Sequence, residues 1–159
     1  MSEQITIPEV YKIALSNELR GAAFYAAMAK RSKNNETSDI FHKLAEEEKE
    51  HHRLFQMLIE KSGDTREDNV LNSERAVFLK SLFNNNVFPA DAEELTGHIT
   101  PRDALSLGIQ AEKDSILLYH ELLEQTDNKE VKEMLSKLLL EEKIHLVELR
   151  EQLEEMQRG

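Results

Sequence analysis

Six residues in this sequence have types and spacings that suit metal binding: Glu18, Glu48, His51, Glu112, Glu142 and His145. The pattern Glu-x-x-His occurs at Glu48 and again at Glu142. Residues three apart lie on one helix face, so a single helix can offer an oxygen and a nitrogen to the same metal. Carboxylate oxygen with imidazole nitrogen and no thiolate suits iron or manganese, with zinc as an alternative. The sequence therefore predicts a two-metal centre.

An internal repeat makes this prediction specific. A single Glu-x-x-His on a Glu-rich helix occurs easily by chance, and we interpret the similar pair Asp39 and His42 as such a chance occurrence. When the sequence is shifted onto itself by 94 residues, however, the chemically demanding positions coincide without a gap. The matched pairs are Glu18 with Glu112, Tyr25 with Tyr119, Glu48 with Glu142, and His51 with His145. Two such copies, each with a glutamate at the same distance upstream, are hard to obtain by chance.

The position of the four glutamates supports a metal rather than a solvated surface. Each lies in the middle of an apolar stripe, with apolar residues one turn above and below. Burial of one ionised carboxylate is costly, and four together need protons or cations to compensate their charge. Two divalent ions balance four carboxylates. Tyr25 and Tyr119 are predicted either as core aromatics or as hydrogen-bond partners of the ligands, whereas Glu46, Glu47, Glu50 and Glu141 are interpreted as solvated.

Four long segments with helical periodicity position these residues, over about 8–33, 36–61, 101–125 and 128–156. Thr100 is predicted as an N-cap and Pro101 as the first helical residue. The first two segments and the last two are joined by a few residues, which predicts two antiparallel hairpins. A helix of about 26 residues is roughly 40 Å long, so 62–100, with a helical pattern around 73–83, is expected to cross the length of a four-helix bundle.

Composition narrows the function further. The chain of 159 residues is expected to form one all-α domain, with repeats over about 8–61 and 101–156. Its formal charge of −11 argues against nucleic acid as a partner. No stretch approaches the ~20 apolar residues of a membrane span, and no secretory signal is visible. We therefore expect a cytoplasmic protein that does not bind membranes.

At these residues the sequence resembles the rubrerythrin branch of the ferritin-like superfamily. The resemblance rests on Asn17-Glu18 with Phe24-Tyr25, on 45–51, on 111–115 with Tyr119, and on 141–145. It implies a ferritin-like bundle, two iron ions and reaction with peroxide or dioxygen in defence against oxidative stress. It also implies a homodimer. The alternative within the superfamily is a ferroxidase that stores or buffers iron.

Two departures from the rubrerythrin pattern affect the expected chemistry. The sequence has no Cys, so the four-cysteine rubredoxin module of rubrerythrins is expected to be absent. The electrons would then come from a separate donor such as a rubredoxin-type protein. Rubrerythrins also usually carry a further glutamate on the third long helix, where this sequence has Ser115. The remaining ligand set is symmetric and resembles that of bacterioferritin-type centres.

Overall fold

A computed structural model describes residues 6–62, 73–84, 88 and 91–158 of the chain. The described residues form six helices, which we number in chain order. They are α1 (Ile7–Arg31), α2 (Asn35–Ser62), α3 (Ser73–Asn84), α4 (Ala92–Thr96), α5 (Pro101–Gln125) and α6 (Lys129–Arg158). The four long helices agree with the predicted segments to within two residues at each end. No helix in the described part of the chain is long and apolar enough to cross a membrane.

Side chains near the helix ends explain these boundaries. Thr100 caps α5 through a capping box with Asp103, and Pro101 opens the first turn as predicted. Thr6 and Glu9 form the equivalent box on α1. Helix α1 ends at Arg31, two residues earlier than predicted, because Ser32 has an extended backbone and its hydroxyl donates to the Met28 carbonyl.

The long helices form an all-α four-helix bundle, and the predicted fold class is confirmed. Residues 32–34 join α1 to α2 and residues 126–128 join α5 to α6, so each pair is an antiparallel hairpin with extensive internal contact. Contacts between α1 and α5 and between α2 and α6 bring the two hairpins together. Each half of the sequence repeat is therefore one hairpin.

The connection between the hairpins contains the predicted helix, α3, and the short helix α4, which the sequence analysis did not predict. The polar stretch 63–69 lies outside the described residues. Helix α4 packs on α1 and α3 packs on α5. As a consequence α1 buries a second row of residues, Val10, Gly21, Phe24 and Met28, in addition to the row that contains Glu18 and Tyr25.

The apolar core is divided into two clusters. The first contains Tyr11, Phe55, Tyr119 and Leu135, and the second contains Phe24, Tyr25, Phe41 and Leu105. The six predicted ligands belong to neither cluster, although all of them are buried. Since the ligands occupy the middle of their helices, apolar packing above and below separates them from water and lowers the effective dielectric constant around them.

Candidate metal centre

The structure brings all six predicted ligands into one buried cluster. Glu18 lies on α1, Glu48 and His51 on α2, Glu112 on α5, and Glu142 and His145 on α6. None is more than 4% exposed. The cluster follows from the local sequence, because each residue sits on the inward face of its helix one turn from apolar neighbours such as Leu44 and Leu138.

Two overlapping groups of four residues have ligand atoms close enough to hold a metal ion. Glu18, Glu48, His51 and Glu142 form one group, and Glu48, Glu112, Glu142 and His145 form the other. Within each group the ligand atoms lie within 4.8 Å of one another. Glu48 and Glu142 belong to both groups, which suits them to bridge two ions, while Glu18 and Glu112 belong to one each. Each group combines residues of both hairpins.

Both imidazoles present Nδ1 to the carboxylates. His51 Nδ1 lies 2.6 Å from Glu142 Oε1 and 3.5 Å from Glu18 Oε2. His145 Nδ1 lies 3.3 Å from Glu48 Oε1 and 3.7 Å from Glu112 Oε1. The two rings stack with centroids 5.6 Å apart and planes inclined by 20°. The inner nitrogen of each ring is thus in position to bind a metal shared with carboxylates.

The outer nitrogen of each imidazole meets a glutamate from the other hairpin. His51 Nε2 lies 2.6 Å from Glu141 Oε2, and His145 Nε2 contacts Glu47 Oε2 at hydrogen-bonding distance. These contacts correct the interpretation of Glu47 and Glu141 as merely solvated, because each lies beside a predicted ligand. The sequence did contain a signal, since Glu47 falls on Glu141 when the repeats are superposed.

A carboxylate at the outer nitrogen fixes the orientation and tautomer of a metal-binding histidine and raises its basicity. Here the arrangement is reciprocal. Glu47 of α2 contacts His145 of α6, and Glu141 of α6 contacts His51 of α2. Glu46 and Glu50, by contrast, remain on the surface, where they pair with Lys49 and Arg53.

The two tyrosines differ in their contacts. The Tyr25 hydroxyl donates a hydrogen bond of 3.0 Å to Glu112 Oε1 in the buried interior. Its repeat counterpart, Tyr119, packs on Phe55 with ring centroids 5.2 Å apart. Both oxygens of Glu18 lack a hydrogen-bond partner among the described residues, so Tyr119 makes no equivalent bond. Of the two predicted roles, Tyr25 is therefore a hydrogen-bond partner of a predicted ligand, and Tyr119 is a core aromatic residue.

The carboxylates are strongly perturbed by burial. Burial raises the pKa of Glu18, and burial followed by the charge of Glu112 raises the pKa of Glu48 to about 7. Burial and the charge of Glu112 also raise the pKa of Glu142 well above its usual value. Burial acts on Glu112 as well, but contacts with Glu142, His145 and Tyr25 outweigh it and lower the pKa of Glu112.

The pKa values of the two histidines are raised, which favours the positively charged imidazolium form. Burial alone would lower their pKa values, but the surrounding carboxylates outweigh it. The Glu18 and Glu48 carboxylates raise the pKa of His51 to about 10, and the Glu112 and Glu48 carboxylates raise the pKa of His145 to about 12. Without metal, the cluster therefore retains protons on its histidines and on part of its carboxylates at neutral pH.

These residues fit a pair of divalent cations. Eight buried oxygen and nitrogen atoms of the six residues make no hydrogen bond of suitable geometry among the described residues. They include both inner imidazole nitrogens, which lie within ion-pair distance of Glu142 and Glu48. Unpartnered buried polar atoms are rare in proteins and need an explanation. Two divalent ions would neutralise four carboxylates and accept lone pairs from the unpartnered atoms. The donor set of oxygen and nitrogen favours iron or manganese over metals that prefer thiolates.

Helical bundles with a buried cluster of carboxylates and histidines, supplied by all four helices, form a class of proteins that bind two metal ions. The fold and the cluster described above have the features of this class. The model of the rubrerythrin family matches residues 9–153. The chain therefore belongs to the rubrerythrin family, as its sequence resemblance implied. No functionally curated protein matches it.

Solved structures from three organisms share the fold. A Thermotoga maritima protein described as ferritin-like and diiron-carboxylate is 24% identical, with a TM-score of 0.77 and coverage of 98% of this chain and 99% of its own. A hypothetical protein from Pyrococcus furiosus is 22% identical, with a TM-score of 0.68 and coverage of 94% and 89%. A DUF305 fragment from Deinococcus radiodurans is 13% identical, with a TM-score of 0.66 and coverage of 94% and 95%. At these identities the likeness concerns the fold alone.

Proposed function

We propose that this chain holds two iron ions and reduces hydrogen peroxide or dioxygen. The observation that carries the proposal is the pair of overlapping ligand groups, in which eight buried oxygen and nitrogen atoms make no hydrogen bond among the described residues. For hydrogen peroxide the overall reaction takes up two electrons and two protons and releases two water molecules. When bound, the iron pair would supply those electrons and stabilise both oxygens of the bond that breaks.

The protein's own residues would hold and orient this centre. Glu48 and Glu142, which belong to both ligand groups, would help to hold both ions, while Glu141 and Glu47 would fix the two imidazoles through their outer nitrogens. The apolar clusters on both sides would exclude bulk water. The Tyr25 hydroxyl would hold Glu112 in a single orientation.

The proposed electron source is a separate protein of the rubredoxin type, because the sequence has no cysteine with which to bind an iron–thiolate centre of its own. We also propose a role in defence against oxidative stress. The cytoplasmic location that was expected from the sequence stays a prediction.

A homodimer is also part of the proposal, and an apolar stripe on α6 supports it. Leu140, Ile144 and Val147 are 59%, 47% and 53% exposed and follow one another at helical spacing. Their repeat counterparts on α2 are the charged residues Glu46, Glu50 and Arg53. An exposed apolar stripe in only one of two equivalent helices suggests a surface that a second copy covers. Sedimentation of the native protein and of Ile144→Glu tests this, and we expect the variant to dissociate.

The enzymatic proposal is tested by loading the protein anaerobically with ferrous iron and adding peroxide. We expect two ions per chain and oxidation much faster than that of free iron. Glu48→Ala should lose both, whereas Glu46→Ala, an exposed change two residues away on α2, should lose neither. Oxidation no faster than free iron, or equal activity in Glu48→Ala, would contradict the proposal.

Iron oxidation for storage is the second candidate, and one surface feature favours it. A depression of about 360 Å³ on the α2/α6 side is lined by Glu47, Glu50, Glu141 and His145, among others. Its acidic wall leads from solvent to a predicted ligand and could attract cations. Storage requires a hollow shell of many subunits, so a dimer in sedimentation would exclude it, while a large assembly that retains many irons per chain would favour it.

A further inference from the structure

A small cavity lies beside the carboxylate cluster, between α1 and α5. Its volume is about 30 Å³, and its inner wall includes Glu18, Glu48 and Glu112. It therefore reaches three predicted ligands directly. It is distinct from the depression near His145, which lies on the α2/α6 side of the bundle.

Two small residues make room for this cavity. Gly21 and Ser115 both line it, and they follow Glu18 and Glu112 by three residues, which places each on the same helix face as its glutamate. They occupy equivalent positions of the two repeats. A Cβ atom on Gly21 would already lie 3.4 Å from the Phe88 ring and 3.9 Å from Glu48 Cγ. Larger side chains at either position would fill the space.

The connection between the hairpins supplies another part of the wall. Leu82 of α3 and Phe88 both line the cavity. Phe88 packs on Phe24 with ring centroids 4.6 Å apart and on Tyr25 with centroids 5.6 Å apart, and it is only 6% exposed. This part of the wall is thus held by aromatic packing.

We propose that this cavity is the oxidant pocket and that it selects by size. A buried water molecule fills about 10–15 Å³, and a cavity of about 30 Å³ leaves room for a ligand of only a few non-hydrogen atoms. Hydrogen peroxide and dioxygen have two such atoms, whereas tert-butyl hydroperoxide is much larger. Ser115 and Leu82 both line the cavity and set this limit. This inference rests on the proposed function, because it assumes that an oxidant reaches the metal centre.

The binding test uses nitric oxide, a two-atom ligand, titrated anaerobically into the protein loaded with two ferrous ions. Ser115→Leu should weaken nitric oxide binding at least about tenfold while the iron content stays at two per chain. Ser106→Leu, on an exposed position of the same helix, should bind like the native protein. Ser115→Val adds less volume and serves if the leucine variant does not fold.

The selectivity test compares hydrogen peroxide with tert-butyl hydroperoxide. The native protein should react at least about tenfold faster with hydrogen peroxide. Leu82→Ala should increase the relative rate with the bulky peroxide by a similar factor, whereas Val77→Ala, exposed on the same helix, should not change the ratio.

The two tests separate this inference from the proposed function. A native protein that reacts with neither hydrogen peroxide nor dioxygen overturns the proposed function, and nitric oxide binding then decides about the pocket alone. Unchanged nitric oxide binding in both Ser115 variants, or equal native rates with the two peroxides, overturns the inference even when the enzyme is active. Loss of binding only in the Ser115 variants, together with the altered ratio in Leu82→Ala, supports it.

Discussion

Gly108 leaves the space that the hydroxyl group of Tyr25 occupies. A Cβ atom at position 108 would lie 3.0 Å from the Tyr25 oxygen and 3.1 Å from Leu149 Cδ1. At the equivalent position of the other repeat, Ala14 carries that methyl group. This difference gives a steric reason why Tyr25 reaches Glu112 whereas Tyr119 makes no bond to Glu18. The two sides of the centre are therefore unequal in spite of identical predicted ligands.

Gly108→Ala is expected to disturb the core. The added methyl group would press against Tyr25 and Leu149, and overpacking of this kind costs about 1–3 kcal/mol. Urea unfolding of the metal-free variant should show this loss. Gly21→Ala is the matched control, because its Cβ would make only ordinary contacts and alanine favours a helix by about 1 kcal/mol. A loss in Gly108→Ala no greater than in Gly21→Ala would refute the steric explanation.

Tyr25→Phe is expected to weaken the metal site more than Tyr119→Phe does. The first change removes the hydrogen bond to Glu112, and bonds to charged groups contribute about 1.5–3 kcal/mol. The second removes a hydroxyl that makes no bond to Glu18. Titration with Co²⁺, followed by absorption, should show roughly tenfold weaker binding of one ion in Tyr25→Phe. Equal effects of the two changes would show that the tyrosines act only through packing.

Glu47→Gln and Glu141→Gln are expected to lower metal affinity although neither residue is a predicted ligand. Each change removes the charge that faces an outer imidazole nitrogen, and loss of such partners typically weakens metal binding 10–100-fold. Competition with a chelator measures the effect. Glu46→Gln, on an exposed position of α2, provides the control. If Glu47→Gln and Glu141→Gln kept the affinity of this control, the reciprocal contacts would have no part in metal binding.

Removal of the metal should make stability fall as pH rises. The pKa of Glu48 is raised to about 7 and that of His51 to about 10, so the folded chain binds more protons than the unfolded chain. Stability from these protons is present at low pH and is lost from about pH 4.5 for Glu48, and from about 6.5 for His51, up to their folded pKa values. The Tm of the chelated protein should therefore be higher at pH 5.5 than at pH 8.5.

The metal-loaded protein should behave differently, because ions replace these protons and bind more tightly as the ligands deprotonate. Glu48→Gln should flatten the pH dependence of the metal-free protein by removing one buried titrating group, whereas Glu46→Gln should leave it unchanged. A Tm of the chelated protein that rises between pH 5.5 and 8.5 would contradict the assignment of these pKa shifts.

The bundle and the cluster could be predicted because both leave periodic signals. Apolar spacing located the four long helices, and the repeat distinguished Glu48 and His51 from the accidental pair Asp39 and His42. Thr100 and Pro101 marked the start of α5 because a capping side chain and a proline act locally. In each case the cause lies within a few residues or recurs at a fixed distance.

The features that were missed depend on contacts between distant elements. Glu47 and Glu141 lie on half-exposed helix faces, and only the packing of α2 against α6 gives each a histidine from the other hairpin. The second buried row of α1 exists because the connection packs on it. The contact between Phe24 and Phe88 could not be predicted from the sequence around Phe24. The inequality of Tyr25 and Tyr119 depends on the neighbouring helix, where Gly108 makes room for the Tyr25 hydroxyl group.

The exchange of Glu47 and Glu141 between the hairpins has a consequence for assembly. Neither hairpin contains a complete ligand group together with its supporting carboxylate. A slip of one hairpin against the other by a single helical turn, about 5.4 Å, would separate both histidines from their partners at once. The complete centre can therefore form only when the two hairpins pack in the correct register.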